Sequence, residues 1–403
     1  MVFKDREFVA VLLGADINTY SVARAFYEEY QIKTYVFGKY LSGPSCSSKI
    51  INYRANPKMD TEEIFLKAIN AVSKRFKKKK IFVLGCGDNY VTLIGQCKDK
   101  LPANVIAPYI DIEQMDMLVN KEKFYELCST YGIDYPETFI YKSQMGHDFE
   151  IPFKYPVILK PADSVDYFAH SFENQSKIYK LHSRQEIDEI IDLIYQSGYT
   201  SDLIIQDMIP GNDEHMRVMT CYSGRDRKVK MMCLGHVLLE EHTPMGLGNH
   251  ALILTEPNEG LYGQAKKLLE AIHYTGFSNF DIKYDKRDGK YKFLELNVRQ
   301  GRSNYYVTQA GFNIAKYLVE DYIYNSDMSF ETGQDSYLWT VVPKGVAFKY
   351  VIDVDIKRKM KELIKLNKAV NPLFMKGDLR PKRYAHLMAN HLRQYDYFKK
   401  YYK

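Results

Sequence analysis

Leu294-Glu295-Leu296-Asn297-Val298-Arg299-Gln300-Gly301 reads as a strand that carries its polar groups two residues apart. Side chains at that spacing share one face of a strand, so Glu295 and Asn297 project together while Leu294, Leu296 and Val298 turn the other way. Upstream, Phe280 to Tyr284 reads as a partner strand across the turn Asp285-Lys286-Arg287-Asp288-Gly289. A hairpin register that sets Asp281 opposite Glu295 gathers two carboxylates and one amide oxygen. Carboxylates that close repel unless a cation or a proton lies between them. Hard oxygen donors with room for water and phosphate oxygens suit Mg²⁺. The bland alternative is an exposed hairpin edge whose acids pair with Lys283, Arg299 and Arg302. Arg299 and Arg302 also offer planar, permanently charged groups that recognise phosphate or carboxylate in bidentate fashion and stabilise charge during phosphoryl transfer.

Moving toward the N-terminus, Lys160 closes the apolar run Val157-Ile158-Leu159, where an ammonium is costly to bury without an anion. A phosphate is a natural partner, and snorkelling to solvent is the alternative. Lys121 and Lys123 open a helix pattern, Lys121 to Thr130, that ends at Tyr131-Gly132. Asp207 to Asp213 is an apolar turn flanked by acids, suited to backbone hydrogen bonds with an adenine edge and a carboxylate on ribose hydroxyls. Between these features lie strand patterns at Thr138 to Tyr141, Pro156 to Leu159, Leu203 to Gln206, Val229 to Leu239 and Ala251 to Leu254, with helices at Arg184 to Gln196 and Leu261 to His273.

The first third alternates strand and helix: Phe8 to Leu13, Ser21 to Glu29, Ile32 to Phe37, Glu62 to Phe76, Ile81 to Leu84. That alternation implies a parallel sheet. Gly14 and Gly85/Gly87 follow the first and last of these strands, at the carboxyl edge where open α/β sheets bind ligands. Gly14-Ala15-Asp16-Ile17-Asn18 lacks the G-x-G-x-x-G fingerprint, which speaks against a nicotinamide dinucleotide site. Asn18, Thr19 and Ser21 at a helix start, with Asp88 and Asn89, form a candidate substrate-binding set.

Length and composition bound the rest. With 403 residues, 46% hydrophobic and 26% charged, the chain has enough apolar surface for two or three packed units and is not disordered or fibrous. No apolar stretch approaches the ~20 residues of a membrane helix, and the six cysteines show no C-x-x-C spacing, so a reducing cytoplasm is the expected location. The net charge of +6 is mild, but residues 357–403 are locally basic and would attract an anionic substrate. Neither zinc-finger spacing nor an RNP-type motif supports nucleic-acid binding.

Taken in order, these pieces resemble the ATP-grasp superfamily of carboxylate-amine ligases over roughly residues 85–325. The similar pieces are Asn120-Lys121, Gly132-Ile133-Asp134-Tyr135-Pro136, Tyr155-Pro156-Val157-Ile158-Leu159-Lys160-Pro161, Gln206 to Asp213, Asp281, and Leu294 to Gly301. The resemblance implies an α/β and α+β chain in three parts. Residues 1–112 would be a Rossmann-like pre-ATP-grasp domain with a parallel sheet, 113–330 a two-lobed ATP-grasp domain, and 331–403 a basic, helical C-terminal extension. It implies ATP contacts at Lys121 and Lys160, an adenine hinge at Asp207 and Ile209, ribose contact from Asp213 or Glu214, Mg²⁺ ligands at Asp281, Glu295 and Asn297, and Arg299 facing the acylphosphate.

Two departures stand out. The family's phosphate-covering loop is usually glycine-rich, whereas Ala162 to His170 has none, so closure over ATP would rely on Ser164 and backbone amides. D-Alanine ligase relatives carry an arginine two residues before the first metal acid, and here that position is Asn279, leaving Arg299 or Arg302 to compensate. Within the superfamily the sequence is most similar to the D-aspartate ligase group of Gram-positive cell-wall synthesis. That group implies D-aspartate as acyl donor and the lysine side chain of a peptidoglycan precursor, such as UDP-linked muramyl pentapeptide, as amine. Two alternatives stay open: a ligase making a free dipeptide or other small amide, and a catalytically inactive ATP-binding sensor.

Overall fold

The computed structural model describes residues 1–176, 178–244 and 246–402, the side chains of Ser164 and Val165 excepted. Among the described residues the strands form three sheets. The first is parallel, in the order β3-β2-β1-β4-β5, built from β1 (Phe8–Leu13), β2 (Thr34–Gly38), β3 (Ile51–Ala55), β4 (Lys80–Gly85) and β5 (Val105–Ile106). All six residues of β1 are buried, as a parallel sheet covered on both faces requires. Helices α1 (Ile17–Tyr30), α2 (Glu62–Arg75) and α3 (Asp88–Gln96) connect the strands. Helix α1 starts four residues before the expected Ser21, because the Asp16 side chain accepts from the Thr19 amide at 3.1 Å and caps the first turn. Asn18 and Ser21 thereby fall inside a helix whose first ten residues are all buried. Gly14 sits at φ +140°, and a β-carbon there would lie 2.3 Å from Thr19 Oγ1, so this turn admits only glycine.

Next come α4 (Ile112–Val119), α5 (Lys121–Tyr131), β6 (Thr138–Tyr141), β7 (Val157–Pro161), α6 (Ser164–Ala169), β8 (Tyr179–Leu181), α7 (Arg184–Gln196) and β9 (Leu203–Asp207). The four strands make an antiparallel sheet ordered β6-β9-β7-β8. Helix α7 is fixed at its start by Ser183 accepting from the Glu186 amide (3.2 Å) while Glu186 accepts from the His182 amide (2.7 Å), a reciprocal cap. It buries Ile187, Ile191 and Ile194 with Val157, Leu159, Leu203 and Ile205, each side chain contributing about 1.5–3 kcal/mol.

The third sheet has eight strands: β10 (Met216–Ser223), β11 (Val229–Glu240), β12 (His250–Thr255), β13 (Gly276–Asp285), β14 (Lys290–Asn297), β15 (Glu331–Thr332), β16 (Leu338–Thr340) and β17 (Ala369–Val370). Their order is β14-β13-β10-β11-β12-β16-β17, with β15 on β11. Helix α8 (Glu259–Ala271) precedes β13, and α9 (Tyr305–Gln309) and α10 (Ile314–Val319) follow β14. The C-terminal segment adds α11 (Lys344–Tyr350), α12 (Val354–Lys365) and α13 (Pro381–Tyr401).

By internal contacts the chain divides into a larger unit (Met1–Met115, Asp213–Phe280, Asn297–Lys403) and a smaller one (Asp116–Asn212, Asp281–Leu296). No described helix is long and apolar enough to cross a membrane. The six cysteines are free thiols, Cys46 half-buried and the others buried.

Candidate active site

In the smaller unit the alternation along β7 leaves Val157, Leu159 and Pro161 buried and sets Ile158 and Lys160 on the opposite, half-buried face. Lys160 Nζ lies 3.3 Å from the Tyr125 hydroxyl and over its ring, 5.8 Å from the centroid. Tyr125 comes from α5 and donates to the Leu294 carbonyl at 2.8 Å, which ties the helix to the strand carrying Glu295. Lys121, on the first turn of α5 after its Asn120 cap, places Nζ 3.9 Å from Glu295 Oε2 with a side chain 13% exposed. Lys160 thus rests on Tyr125, while Lys121 faces Glu295 on the strand that Tyr125 holds.

Asp207 ends β9, and Ile209 is buried two residues on. The Asp207 carboxylate is taken up by Arg287, through Nη1 at 3.0 Å and through Nη2. Arg287 also binds Asp285 from Nε at 2.9 Å, and this hydrogen bond holds the Asp285 carboxyl below the usual carboxylate range against the opposing effect of burial. Sequence reading took Asp285 to Gly289 as a turn alone. Arg287 lies in the turn beyond the end of β13, where strand alternation no longer says which way a side chain points. The Asp207 amide is also engaged, donating to the Glu137 carbonyl at 3.0 Å.

Asp281 and Glu295 are half-buried on β13 and β14, and Asn297 closes β14. Among the described residues no group of three or more His, Cys, Asp or Glu is set to hold a metal ion. The two carboxylates and one amide are a hard-oxygen set that fits Mg²⁺ when water and phosphate oxygens complete the shell. Residues 164–169, in the glycine-free segment, form α6, with Asp163 Oδ1 accepting from the Asp166 amide at 3.0 Å. Ser164 opens that helix, and its side chain lies outside the described part of the structure.

In the larger unit Arg299 forms a bidentate pair with Asp88, Nε at 2.6 Å and Nη2 at 2.9 Å. A candidate substrate contact therefore serves as partner to a candidate catalytic cation. Arg302 binds Glu241 through Nη2 at 3.2 Å, and its Nη1 is buried without a hydrogen-bond partner. Asn18 is 1% exposed; it donates to the Cys86 carbonyl at 3.1 Å and accepts from Asn304 at 2.8 Å, holding the segment after β14 against the first sheet. Ser21 is fully buried and its hydroxyl has no partner, while Asn89 is exposed on α3. Asn279, standing where relatives carry arginine, is 3% exposed and accepts from Thr220 Oγ1 at 2.9 Å. A β-carbon on Gly301 would approach its amide oxygen to 2.5 Å, so the site has no room for a longer side chain.

Asp213 is 8% exposed and accepts from the Glu240 amide (2.8 Å) and from His242 Nε2, an interaction that raises the histidine pKa. Glu214 accepts from the Ile352 amide at 3.0 Å. His250, beside Ser303 at 3.3 Å, is driven down to about 4 by burial and by the charge of Arg302. Sequence reading passed over Tyr125, Glu241 and His250, since none belongs to a recognisable spacing.

No family model matches the chain. It is 40% identical over 414 residues to the D-aspartate ligase of Enterococcus faecium (strain Aus0004), an alignment covering 99% of this chain and 98% of that protein. Among solved structures it is similar to N5-carboxyaminoimidazole synthetase from Staphylococcus aureus complexed with ADP, at TM-score 0.59 and 15% identity over 82% of this chain and 81% of that one. The L-amino acid ligase from Bacillus licheniformis gives TM-score 0.54 at 13% identity, over 79% and 75% of the two chains. Phosphoribosylamine–glycine ligase from Thermotoga maritima gives 0.56 at 17%, over 82% and 78%. At such identities the structural likenesses establish a common fold.

Proposed function

We propose a reaction for this chain from one premise: it belongs to the D-aspartate ligase family, and it is an ATP-grasp carboxylate-amine ligase. The end-to-end likeness to a D-aspartate ligase is the observation that carries the finer reading. In that reading the acyl donor is D-aspartate, the amine is the lysine side chain of a UDP-linked muramyl pentapeptide, and the work is done in the cytoplasm.

A carboxylate resists attack because resonance stabilises it and oxide is a poor leaving group. Transfer of the ATP γ-phosphoryl group to a carboxylate oxygen releases ADP and gives an acylphosphate. The neutral amine then attacks the carbonyl carbon, the C–N bond forms, the C–O bond to phosphate breaks, and the nitrogen gives up a proton. Lys121 and Lys160 bind the polyphosphate by charge, while the main chain around Asp207 and Ile209 borders the adenine and Asp213 or Glu214 contacts the ribose. Asp281, Glu295 and Asn297 would hold Mg²⁺, which supplies charge neutralisation on phosphate oxygens when bound. Arg299, kept in place by Asp88, offers a fixed cation to the transferring group, so rate enhancement comes from positioning and electrostatics. The basic C-terminal segment draws the anionic precursor by long-range attraction.

The test is ADP and phosphate release with Mg·ATP and a panel of D- and L-amino acids, each with and without the precursor. Release confined to D-aspartate plus precursor is the expected result; another productive pair replaces the substrates and keeps the ligase. Glu295→Gln removes one charge with little change in volume and is expected to lower kcat by about 10²–10³-fold, the usual loss for one electrostatic contact to a transition state. Unchanged turnover in a folded Glu295→Gln protein removes Glu295 from the metal set.

A further inference from the structure

Within the smaller unit, one buried phenol joins α5 to β7, β9 and β14. Tyr125, 4% exposed, lies nearly parallel to the Tyr135 ring, with centroids 5.1 Å apart and planes 12° from parallel. Stacking of that kind asks only for a ring, and phenylalanine would supply one without burying a polar atom. The hydroxyl is there for its bonds. It donates to the Leu294 carbonyl at 2.8 Å, on the strand that carries Glu295. Burial pushes its pKa well above the ordinary tyrosine value, with a hydrogen bond from the Gln206 side chain acting in the opposite sense. The phenol therefore stays protonated near neutral pH, and its donation to Leu294 does not titrate. Gln206 is itself 3% exposed on β9 and donates from Nε2 to Thr138 Oγ1 at 2.7 Å.

With its single proton committed, the phenol oxygen has only lone pairs to offer. It faces the Lys160 ammonium at 3.3 Å, and that ammonium lies 5.8 Å from the ring centroid. Ammonium groups carry donors and no acceptor. Were the hydroxyl free to turn its proton toward Lys160, the two would meet donor to donor; the Leu294 carbonyl prevents that. A lysine on a flexible four-carbon stem has little preorganisation of its own, and the phenol supplies a fixed point for it. At 3.3 Å the contact is at the loose end for N–H···O, so the ammonium is steered without being pinned. The same oxygen is tied to the residue before Asp207 and to the residue before Glu295, so the segments read as adenine hinge and metal ligand are set against one atom.

We propose that Tyr125 is a positioning residue for the nucleotide phosphates: its hydroxyl, held by Leu294 and Gln206, sets the Lys160 ammonium where it meets them. The inference rests on the reading of Lys160 as a phosphate contact given above and adds the group that prepares it. Tyr125 acts through Lys160 and does not itself touch the reacting atoms.

The experiment measures the dissociation constant of Mg·ATP by calorimetry on the full chain, alongside steady-state ADP release. Tyr125→Phe keeps the ring and its stacking and is expected to weaken Mg·ATP binding about tenfold, with KM for the amino acid and the acceptor within about twofold. A double-mutant cycle separates positioning from packing. Lys160→Met weakens binding on its own, and adding Tyr125→Phe to it is expected to change the constant by less than about twofold, because the hydroxyl acts through the ammonium. Losses that multiply across the cycle, or unchanged binding in Tyr125→Phe, overturn the assignment. Should phenylalanine at this position not fold, 3-fluorotyrosine at position 125 keeps both ring and hydroxyl. Its fluorine resonance is expected to shift on saturation with Mg·ATP and to stay in place when Lys160→Met is also present; equal shifts in the two overturn the assignment as well. The expected cycle without ADP release under any substrate pair sinks the ligase reading and keeps Tyr125 in its role, whereas ADP release with multiplied losses does the reverse. Absence of Mg·ATP binding in the unaltered protein defeats both.

Discussion

Arg383 and Arg287 each bind carboxylates, yet one is sealed from solvent and the other is not. Arg383 is 1% exposed; its Nε lies 3.4 Å from Asp378 Oδ2, its cation covers the Tyr20 ring at 4.5 Å, and Nη1 donates to the Pro44 carbonyl. Asp378, fully buried, accepts from Tyr20 (2.8 Å), Ser48 (2.8 Å) and the Lys49 amide. Arg287 is 44% exposed while it binds Asp207 and Asp285, and Lys292 lies a further 3.2 Å from Asp285. The same chemistry therefore does different work. Removing a partner from the buried pair strands a charge in low dielectric, whereas Arg287 is open to water and its buried partner Asp285, 1% exposed, keeps Lys292 at 3.2 Å. The buried pair fixes the C-terminal segment on the larger unit; the exposed one orients Asp207.

The comparison is most exposed to failure at Asp378. Replacing it with alanine should cost about 3–5 kcal/mol, read from the urea midpoint, and a loss below ~1 kcal/mol would erase the distinction between the two pairs. Asp378→Leu combined with Arg383→Met removes both charges and should recover only the part of that loss due to the stranded cation, since Tyr20, Ser48 and the Lys49 amide still lose their acceptor. A smaller effect is expected with pH at Asp285, which is buried although its partner Arg287 is exposed. Asp285 titrates below its ordinary 3.8, so its stabilising contribution is complete above about pH 4 and fades as pH falls toward the lower, folded value. Asp285→Asn should flatten that part of the stability-against-pH curve, and an unaltered acid limb would show that the pair is not formed in solution. Smallest of all is Arg287→Ala, expected to cost about 1 kcal/mol or less while raising KM for ATP several-fold because Asp207 loses its orientation. If stability falls as far as in Asp378→Ala, exposure is not what separates the two.

The same contrast explains what the sequence disclosed. Phe8–Leu13, Thr138–Tyr141 and Arg184–Gln196 were readable to the residue because turn or cap residues bound a consistent apolar pattern. Met216–Ser223 was not, since seven of its eight residues are buried and a strand covered on both faces shows no alternation. The short strands Leu338–Thr340 and Ala369–Val370 are too brief to announce themselves, though the C-terminal segment carries α12 and α13, helical as expected. At the candidate site, Lys121, Lys160 and Glu295 could be chosen because a cation in an apolar run or acids on one strand face are local patterns. Glu241 could not, because its meaning depends on Arg302, 61 residues further along the chain.

Tyr20 and Asp378 are 358 residues apart in sequence, yet they share a buried hydrogen bond. At about 5–20 residues per second, a ribosome completes Tyr20 some tens of seconds before it supplies Asp378. Over that interval the first sheet can form, but the Tyr20 and Ser48 hydroxyls lack their acceptor and the β12 edge lacks β16. Birth order on the ribosome thus leaves the nascent protein with an unpaired β12 edge until Leu338–Thr340 emerges, and that late, short strand is what ends this vulnerability to aggregation.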